Sequence, residues 1–274
     1  MAEALPESVA YRDTPVPPDV SHLTTEDDQP VDNAFQDKQC ELLTEALRVS
    51  WPQGRPFVSA SDVAIFPMAS DAAAIVPDVL LSTGVEPLEQ CHLKENRSYY
   101  IWRFGKPPDL VIEIVSNKFG GEDSSKLKRY AELRVPYYAI YDPELHLSSR
   151  PLRIFQLTGL SYVEKVDRLF TEMGLGLTLW SGEFDGFQEQ WLRWVDAEGN
   201  LLATGLEKSN QERQRAEQER QRADQEQQRA DQEQQRADQE RQRADQEKRR
   251  ADQGAAEIEK LRQKLFELGI EPDS

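Results

Sequence analysis

The stretch PPDLVIEIVS, residues 107–116, decides how the rest of the chain is read. Alternate side chains of an extended segment face opposite ways, so Leu110, Ile112 and Ile114 share one face and Asp109, Val111, Glu113 and Val115 the other. Apolar residues on both faces are the mark of a strand covered on both sides, at the centre of a sheet. Glu113 breaks that pattern, because a carboxylate inside an apolar strand is costly unless something pairs with it.

Upstream, NAFQDKQCELLTEALRVSW (33–51) spaces Phe35, Leu42, Leu43, Ala46 and Leu47 as one helix face, with Asn33 as N-cap. PFVSASDVAIFP, AAIVPDVLLST and RSYYIWRF read as strands, the last broken by GKPP. Downstream, Gly120 and Gly121 mark a loop, and a helix over 123–134, capped by Asp123 or Ser124, carries Leu127, Tyr130, Ala131 and Leu133. PYYAIYDP is a further strand over 137–141, closed by the Asp142-Pro143 turn. LRIFQLTGLSYVEKV and LTLWSGEFDGF read as hairpins around Gly159 and Gly182, and Glu198-Gly199-Asn200 as a turn between strands. Helices interleaved with strands define an α/β fold.

The net charge of the 274 residues is −17, and it is unevenly spread. Residues 1–210 hold 33 acidic and 19 basic side chains, whereas 211–253 hold 12 and 11. Wholesale attraction to nucleic acid or to an anionic membrane is therefore not built in. Cys40 and Cys91 are far apart, no Cys/His spacing suggests zinc, and three histidines make a His-rich metal site an improbable reading. Residues 1–33, with Pro6, Pro15, Pro17, Pro18 and Pro30, read as a flexible acidic, Pro-rich arm. With no apolar leader and no apolar run long enough to span a bilayer, the expectation is a reducing, cytoplasmic setting without membrane contact.

From 206 the chain becomes a charged heptad repeat, expected as a solvated helix over 206–253. Alanine recurs at 216, 223, 230, 237, 244 and 251; with Ala at position a, position d is Glu219, Glu226, Glu233, Glu240 and Glu247. Such a seam packs far less well than Ile/Leu. Arg215→Glu219, Arg222→Glu226 and Arg229→Glu233 offer lengthwise i,i+4 pairs instead. Over 254–274 the phase continues with Ile258, Leu261, Leu265 and Leu268 on a, d, a and d, a short apolar zipper ending at Gly269 and Pro272. The zipper allows a homo-oligomer, through this helix, the core, or both, the alternative being a solvated helix with no partner; truncation at Gly254 should abolish any tail-driven association.

Asp78 begins the apolar part of its strand, and Glu113 lies in the middle of another. Two carboxylates from neighbouring strands can hold Mg²⁺, which prefers hard oxygen ligands, and a lysine can stabilise charge on a phosphate. The plainer alternative has Asp78 and Asp109 capping turns after prolines, with Glu113 a buried partner of Lys126 or an arginine. Arg97, Arg103, Lys106, Lys118, Lys126, Lys128 and Arg129 surround these acids in sequence.

PPDLVIEIVS, a loop containing ED, and KLKRYAELRVPYYAIYDPE together resemble the Uma2 (DUF820) family of the restriction-endonuclease-like, PD-(D/E)XK nuclease superfamily. PDVLLS, the GLGLTLWSGEFDGFQEQWLRWVDAEGN stretch and the heptad tail are similar to cyanobacterial-type members; the resemblance takes in roughly 34–210 plus the tail and implies a nuclease-like domain over 34–205. It implies a mixed central sheet flanked by helices, in the order helix–strand–strand–strand–helix–strand, with added hairpins and a long C-terminal helix. It implies an endonuclease acting with Mg²⁺, or Mn²⁺, on nucleic acid, DNA foremost. Asp78 and Glu113 match the metal-holding acids. The motif lysine is absent: Val115 stands in its place, and Lys126, or Lys128 as second choice, takes its role. Asp109, and Glu41 or Glu45 of the first helix, are auxiliary candidates. The competing expectation is a catalytically silent nuclease fold that serves as a protein-interaction module through its C-terminal helix.

Overall fold

The computed structural model describes residue 19 and residues 33–51, 54–69, 74–117 and 120–267. The arm before Asn33 (Asp19 apart), Lys118, and the expected stop around Leu268, Gly269 and Pro272 lie outside the described residues.

Helix α1 (Ala34–Ser50) starts where Asn33 Oδ1 accepts from the Gln36 amide at 2.9 Å, the capping bond an N-terminal turn needs. Strands β1 (Phe57–Ser61), β2 (Ile65–Phe66), β3 (Val79–Thr83) and β4 (Tyr99–Tyr100) follow, then a one-turn helix α2 (Ile101–Phe104) and β5 (Leu110–Ile114). After β5 come α3 (Ser125–Glu132), β6 (Tyr137–Tyr141) and the hairpin of β7 (Leu152–Thr158) and β8 (Ser161–Lys165). β9 (Leu169–Phe170), β10 (Leu175–Phe184) and β11 (Phe187–Asp196) complete the strands, and α4 (Gly205–Glu267) ends the described chain.

The central sheet has the order β1-β3-β5-β6-β7-β8. β5 and β6 are parallel, and every other neighbouring pair in the sheet is antiparallel. A parallel pair needs a crossover, and α3 provides it. As the alternation in 109–115 implies, β5 is buried throughout and divides two cores. Leu110, Ile112 and Ile114 pack with Leu43 and Leu47 of α1 and with Leu177, Leu192 and Trp194 of the small sheet β11-β10-β9. Val111 and Val115 face the other way, with Tyr130 of α3 and Tyr138 and Ile140 of β6. The α/β class with a mixed sheet, added sheets and a long C-terminal helix is thus the architecture observed.

Three local expectations are corrected. RSYYIWRF is a strand only at Tyr99 and Tyr100; Ile101–Phe104 coil into a turn that Gly105 closes, with φ 74° and its N–H donating to Ile101 at 2.8 Å. Stacking of Phe104 on Tyr99, with centroids 4.3 Å apart, holds that turn. Gly182 lies inside β10 rather than at a turn; the hairpin turns at Asp185-Gly186, both with positive φ, between the paired Phe184 and Phe187. Asp-Gly is the residue pair a two-residue hairpin favours. After Glu198-Gly199-Asn200 no second strand forms among the described residues, only the single bridge Leu201–Val195.

By compactness the chain divides at Lys208 into two units, Met1–Lys208 and Ser209–Ser274. The first turn of α4 belongs to the first unit and is locked there. Thr204 Oγ1 accepts from the Glu207 amide while Glu207 Oε2 accepts from the Thr204 amide, a capping box. Buried Arg193 grips both Glu207 oxygens at 2.7 Å and also donates to Leu202 O. In the second unit the helix is exposed along almost its whole length. Among the described residues its Arg215, Arg222 and Arg229 make no ion pair with Glu219, Glu226 or Glu233; the bonds along the helix are Gln221–Glu217, Gln227–Asp231 and Gln234–Asp238. Base before acid is the weaker order for an i,i+4 pair, because it opposes the helix dipole. Among the described residues no helix is long and apolar enough to cross a membrane.

Candidate active site

The register Val79↔Ile112, continued by one residue, sets Asp78 opposite Glu113 at one end of the sheet. Beyond this point the Asp78 side chain joins the two strands: its Oδ2 accepts from the Ile114 amide. Oδ1 accepts from Gln36 Nε2 at 2.8 Å, tying the strand to the first turn of α1. Glu113 is fully buried. Its Oε2 accepts from Lys126 Nζ at 2.8 Å and its Oε1 from the Tyr130 hydroxyl at 2.5 Å. Lys126 and Tyr130 sit four residues apart on α3 and so share a face. Lys126 also lies 3.5 Å from Glu122 Oε1, while Glu122 Oε2 is buried with no hydrogen-bond partner among the described residues.

One lysine thus serves three buried acids, Asp78, Glu113 and Glu122. Burial and then the Asp78 charge push the Glu113 carboxyl up to about 8, against the pull of Lys126 and Tyr130. Burial raises Asp78 to about 6, against the Ile114 amide and Lys126. For Lys126, burial disfavours the charged form, but Glu113, Asp78 and Glu122 outweigh it and leave the ammonium above its ordinary value. All three groups hold protons more tightly than they would in water, as expected of a cluster short of positive charge.

The remaining sequence candidates lie elsewhere. Val115, where the motif lysine would stand, is buried in the core beside Tyr130, and its amide donates to Tyr141 O at 2.8 Å. Lys128 is exposed, as its angular offset from Lys126 requires. Asp109 lies at the far end of β5, where its Oδ2 accepts from Lys106 Nζ at 2.6 Å and from the Thr83 amide and hydroxyl. It ties the start of β5 to the end of β3, and Lys106 is taken with it. Glu41 pairs with Lys38 at 2.8 Å, and Glu45 Oε1 accepts from the Gly205 amide at 2.9 Å. Neither first-helix glutamate joins Asp78 and Glu113; the first-helix residue that does is Gln36. Gln36 and Tyr130 were not singled out from sequence, and Glu122 was seen only as a loop residue. The four-residue spacing of Glu122, Lys126 and Tyr130 was the available signal.

A divalent cation is the group such acids would hold. Among the described residues no three His, Cys, Asp or Glu side chains come together in a way that could hold a metal. A cation at this end of the sheet would have Asp78 and Glu113 as its protein ligands, with oxygens from water and substrate completing the shell, the mode Mg²⁺ favours. The orphaned Glu122 oxygen and the charge shortfall agree with it.

The mixed α/β sheet is the fold the sequence resemblance implied, and Asp78, Glu113 and Lys126 meet at one end of it. The chain belongs to the Uma2 family, described as a putative restriction endonuclease, which matches residues 27–179. A crystal structure of a putative nuclease belonging to DUF820 from Anabaena variabilis ATCC 29413 is also similar. It shares 12% identity at a TM-score of 0.32, over 51% of this chain and 71% of that one. None of the curated proteins compared with the sequence matches it.

Proposed function

We propose that the protein is a Mg²⁺-dependent endonuclease, with Mn²⁺ as substitute, that hydrolyses phosphodiester bonds of nucleic acid, DNA foremost. The observation that carries this reading is the 2.8 Å contact between Lys126 Nζ, carried on α3, and Glu113 Oε2. In this reading Asp78 and Glu113 hold the cation. When bound, the cation polarises a phosphoryl oxygen and lowers the pKa of the attacking water.

The protein's own groups do the rest. Lys126 is 29% exposed, so its ammonium can turn from Glu113 to an incoming phosphate oxygen and stabilise the charge that develops there. Tyr130 keeps Glu113 oriented when Lys126 turns away, and Gln36 does the same for Asp78. The test is cleavage of supercoiled and single-stranded DNA with Mg²⁺ or Mn²⁺. Wild type should cut, and Asp78→Ala, Glu113→Ala and the near-isosteric Glu113→Gln should not. Cutting that survives these substitutions overturns the mechanism.

A second reading, a catalytically silent fold that serves as an interaction module, draws on one observation. Every carboxylate oxygen of Asp78 and Glu113 already has a donor from the protein itself. Folded wild-type protein that cuts no nucleic acid with either metal would favour it.

A further inference from the structure

The second unit carries heptad positions whose charges change character along the helix. With Ala216 at a, position g is Arg at 215, 222, 229, 236, 243 and 250. In a parallel pair of helices, a g residue meets the e residue five positions further along the partner. Through the repeat those meetings are Arg215 with Arg220, Arg236 with Arg241 and Arg243 with Lys248, all like-charged, or Arg with glutamine. Position d adds facing glutamates. The repeat is therefore built against pairing with itself.

Beyond Gly254 the same phase gives the opposite result. Ile258 and Leu265 fall on a and Leu261 on d; Ile258 and Leu261 are each 55% exposed and Leu265 is half-buried on the lone helix. A β-branched residue at a with leucine at d favours two parallel strands. The flanking positions agree: Glu257 at g would meet Arg262 at e of a second copy, twice by symmetry. Within one helix these residues are five apart and do not face each other, so their match is useful only between chains. α4 runs unbroken through Gly254, so the apolar residues stay in phase with the repeat.

We infer that a second copy of this chain covers the seam, as a parallel, in-register dimer confined to the C-terminal end of α4, while the charged repeat keeps the helices apart upstream. The inference does not depend on nuclease activity. Little more than one heptad is weak on its own, so the dimer should be a concentration-dependent equilibrium.

Sedimentation of the full chain across a wide concentration range tests it, with far-UV circular dichroism confirming helix content in each variant. Wild type should show a monomer–dimer equilibrium, and Leu261→Asp should be monomeric throughout. Glu257→Arg and Arg262→Glu should each weaken dimerisation by about 2- to 30-fold, the value of two exposed pairs, and the double exchange should restore it. An antiparallel pair would instead set Glu257 against Lys264, and the double exchange would not restore it, which overturns the orientation. A wild type that stays monomeric, a species larger than a dimer, or a dimer that persists in Leu261→Asp overturns the inference.

Discussion

Removing Glu207 should damage the fold more than removing its partner, Arg193. Arg193 is 2% exposed; both Glu207 oxygens lie 2.7 Å from its guanidinium, and the Trp180 ring lies 4.8 Å away. Glu207→Ala leaves a cation that cannot deprotonate buried with Leu202 O as its remaining hydrogen-bond acceptor. Breaking a buried pair in this way costs about 3–5 kcal/mol. The Glu207 amide–Thr204 bond survives, but the return bond to the Thr204 amide is lost, worth about 1 kcal/mol. Arg193→Met leaves Glu207 with a side chain 38% exposed, able to turn to water, and an apolar side chain filling the slot; about 1–2 kcal/mol is expected, as for a partly solvated hydrogen-bonded charge. All five tryptophans, Trp51, Trp102, Trp180, Trp191 and Trp194, lie in the first unit. Their fluorescence in urea therefore reports that unit, whereas circular dichroism would be dominated by the α4 repeat. The Glu207→Ala midpoint should fall by about 1.3–3 M urea, taking a slope of about 2–3 kcal/mol per M, and that of Arg193→Met by about 0.3–1 M. Equal losses, or a larger loss for Arg193→Met, would refute the argument that an uncompensated buried charge dominates.

Other outcomes follow from the same structure. Without metal, Glu113 and Asp78 have folded values of about 8 and 6, above their ordinary values. The folded state therefore binds more protons than the unfolded one between about pH 4 and 8. Their contribution to stability is complete below that window and lost as pH rises through it, so urea midpoints in chelator should decline toward pH 8; a rise would contradict the shifts. Mg²⁺ should raise the midpoint more at pH 8 than at pH 5, and should do neither in Glu113→Gln. Lys126→Met should abolish cleavage and steepen the metal-free decline, because the only cation facing Glu113 among the described residues is gone; an unchanged pH profile would argue against this. Glycine-to-alanine changes should have opposite signs at two sites. At Gly176 the new Cβ would lie 2.7 Å from the Arg168 carbonyl oxygen, costing about 1–3 kcal/mol. At Gly254, inside α4 with open space around it, alanine should stabilise the helix by about 1 kcal/mol, read by thermal melting of the ellipticity.

What the sequence made legible was whatever periodicity controls. The two-faced pattern of 109–115 anticipates the division into two cores, and the Asn33 cap and the α3 crossover follow from local signals. Asp78, Glu113 and Lys126 come together because strand register and helix phase are short-range rules. The misreadings arise where long-range packing decides. RSYYIWRF has the aromatic content of a strand, but Tyr99 stacks on Phe104 and curls the segment. Asp109 shares the parity of Glu113 yet sits four residues nearer the other end of the sheet, where Lys106 claims it. Gln36 was passed over because a neutral side chain among acids carries no signal until the helix is seen to lie against Asp78. Among the described residues the Arg–Glu ladder does not form on this exposed helix, where water competes for each charge.

The Asp78 carboxylate replaces a missing rung between β3 and β5, and that of Glu113 rivets α3 to the sheet. Under the proposed function such residues answer to two demands at once, the chemistry and the joining of elements. A lineage without the chemistry would still have the second reason to retain them. The identity of the acids in related chains is therefore a record of architecture first. The side chain with more freedom to drift is Lys126, whose partly exposed ammonium adds less to the fold than to the site. Under the proposed function, its presence or absence among relatives is the better marker of activity.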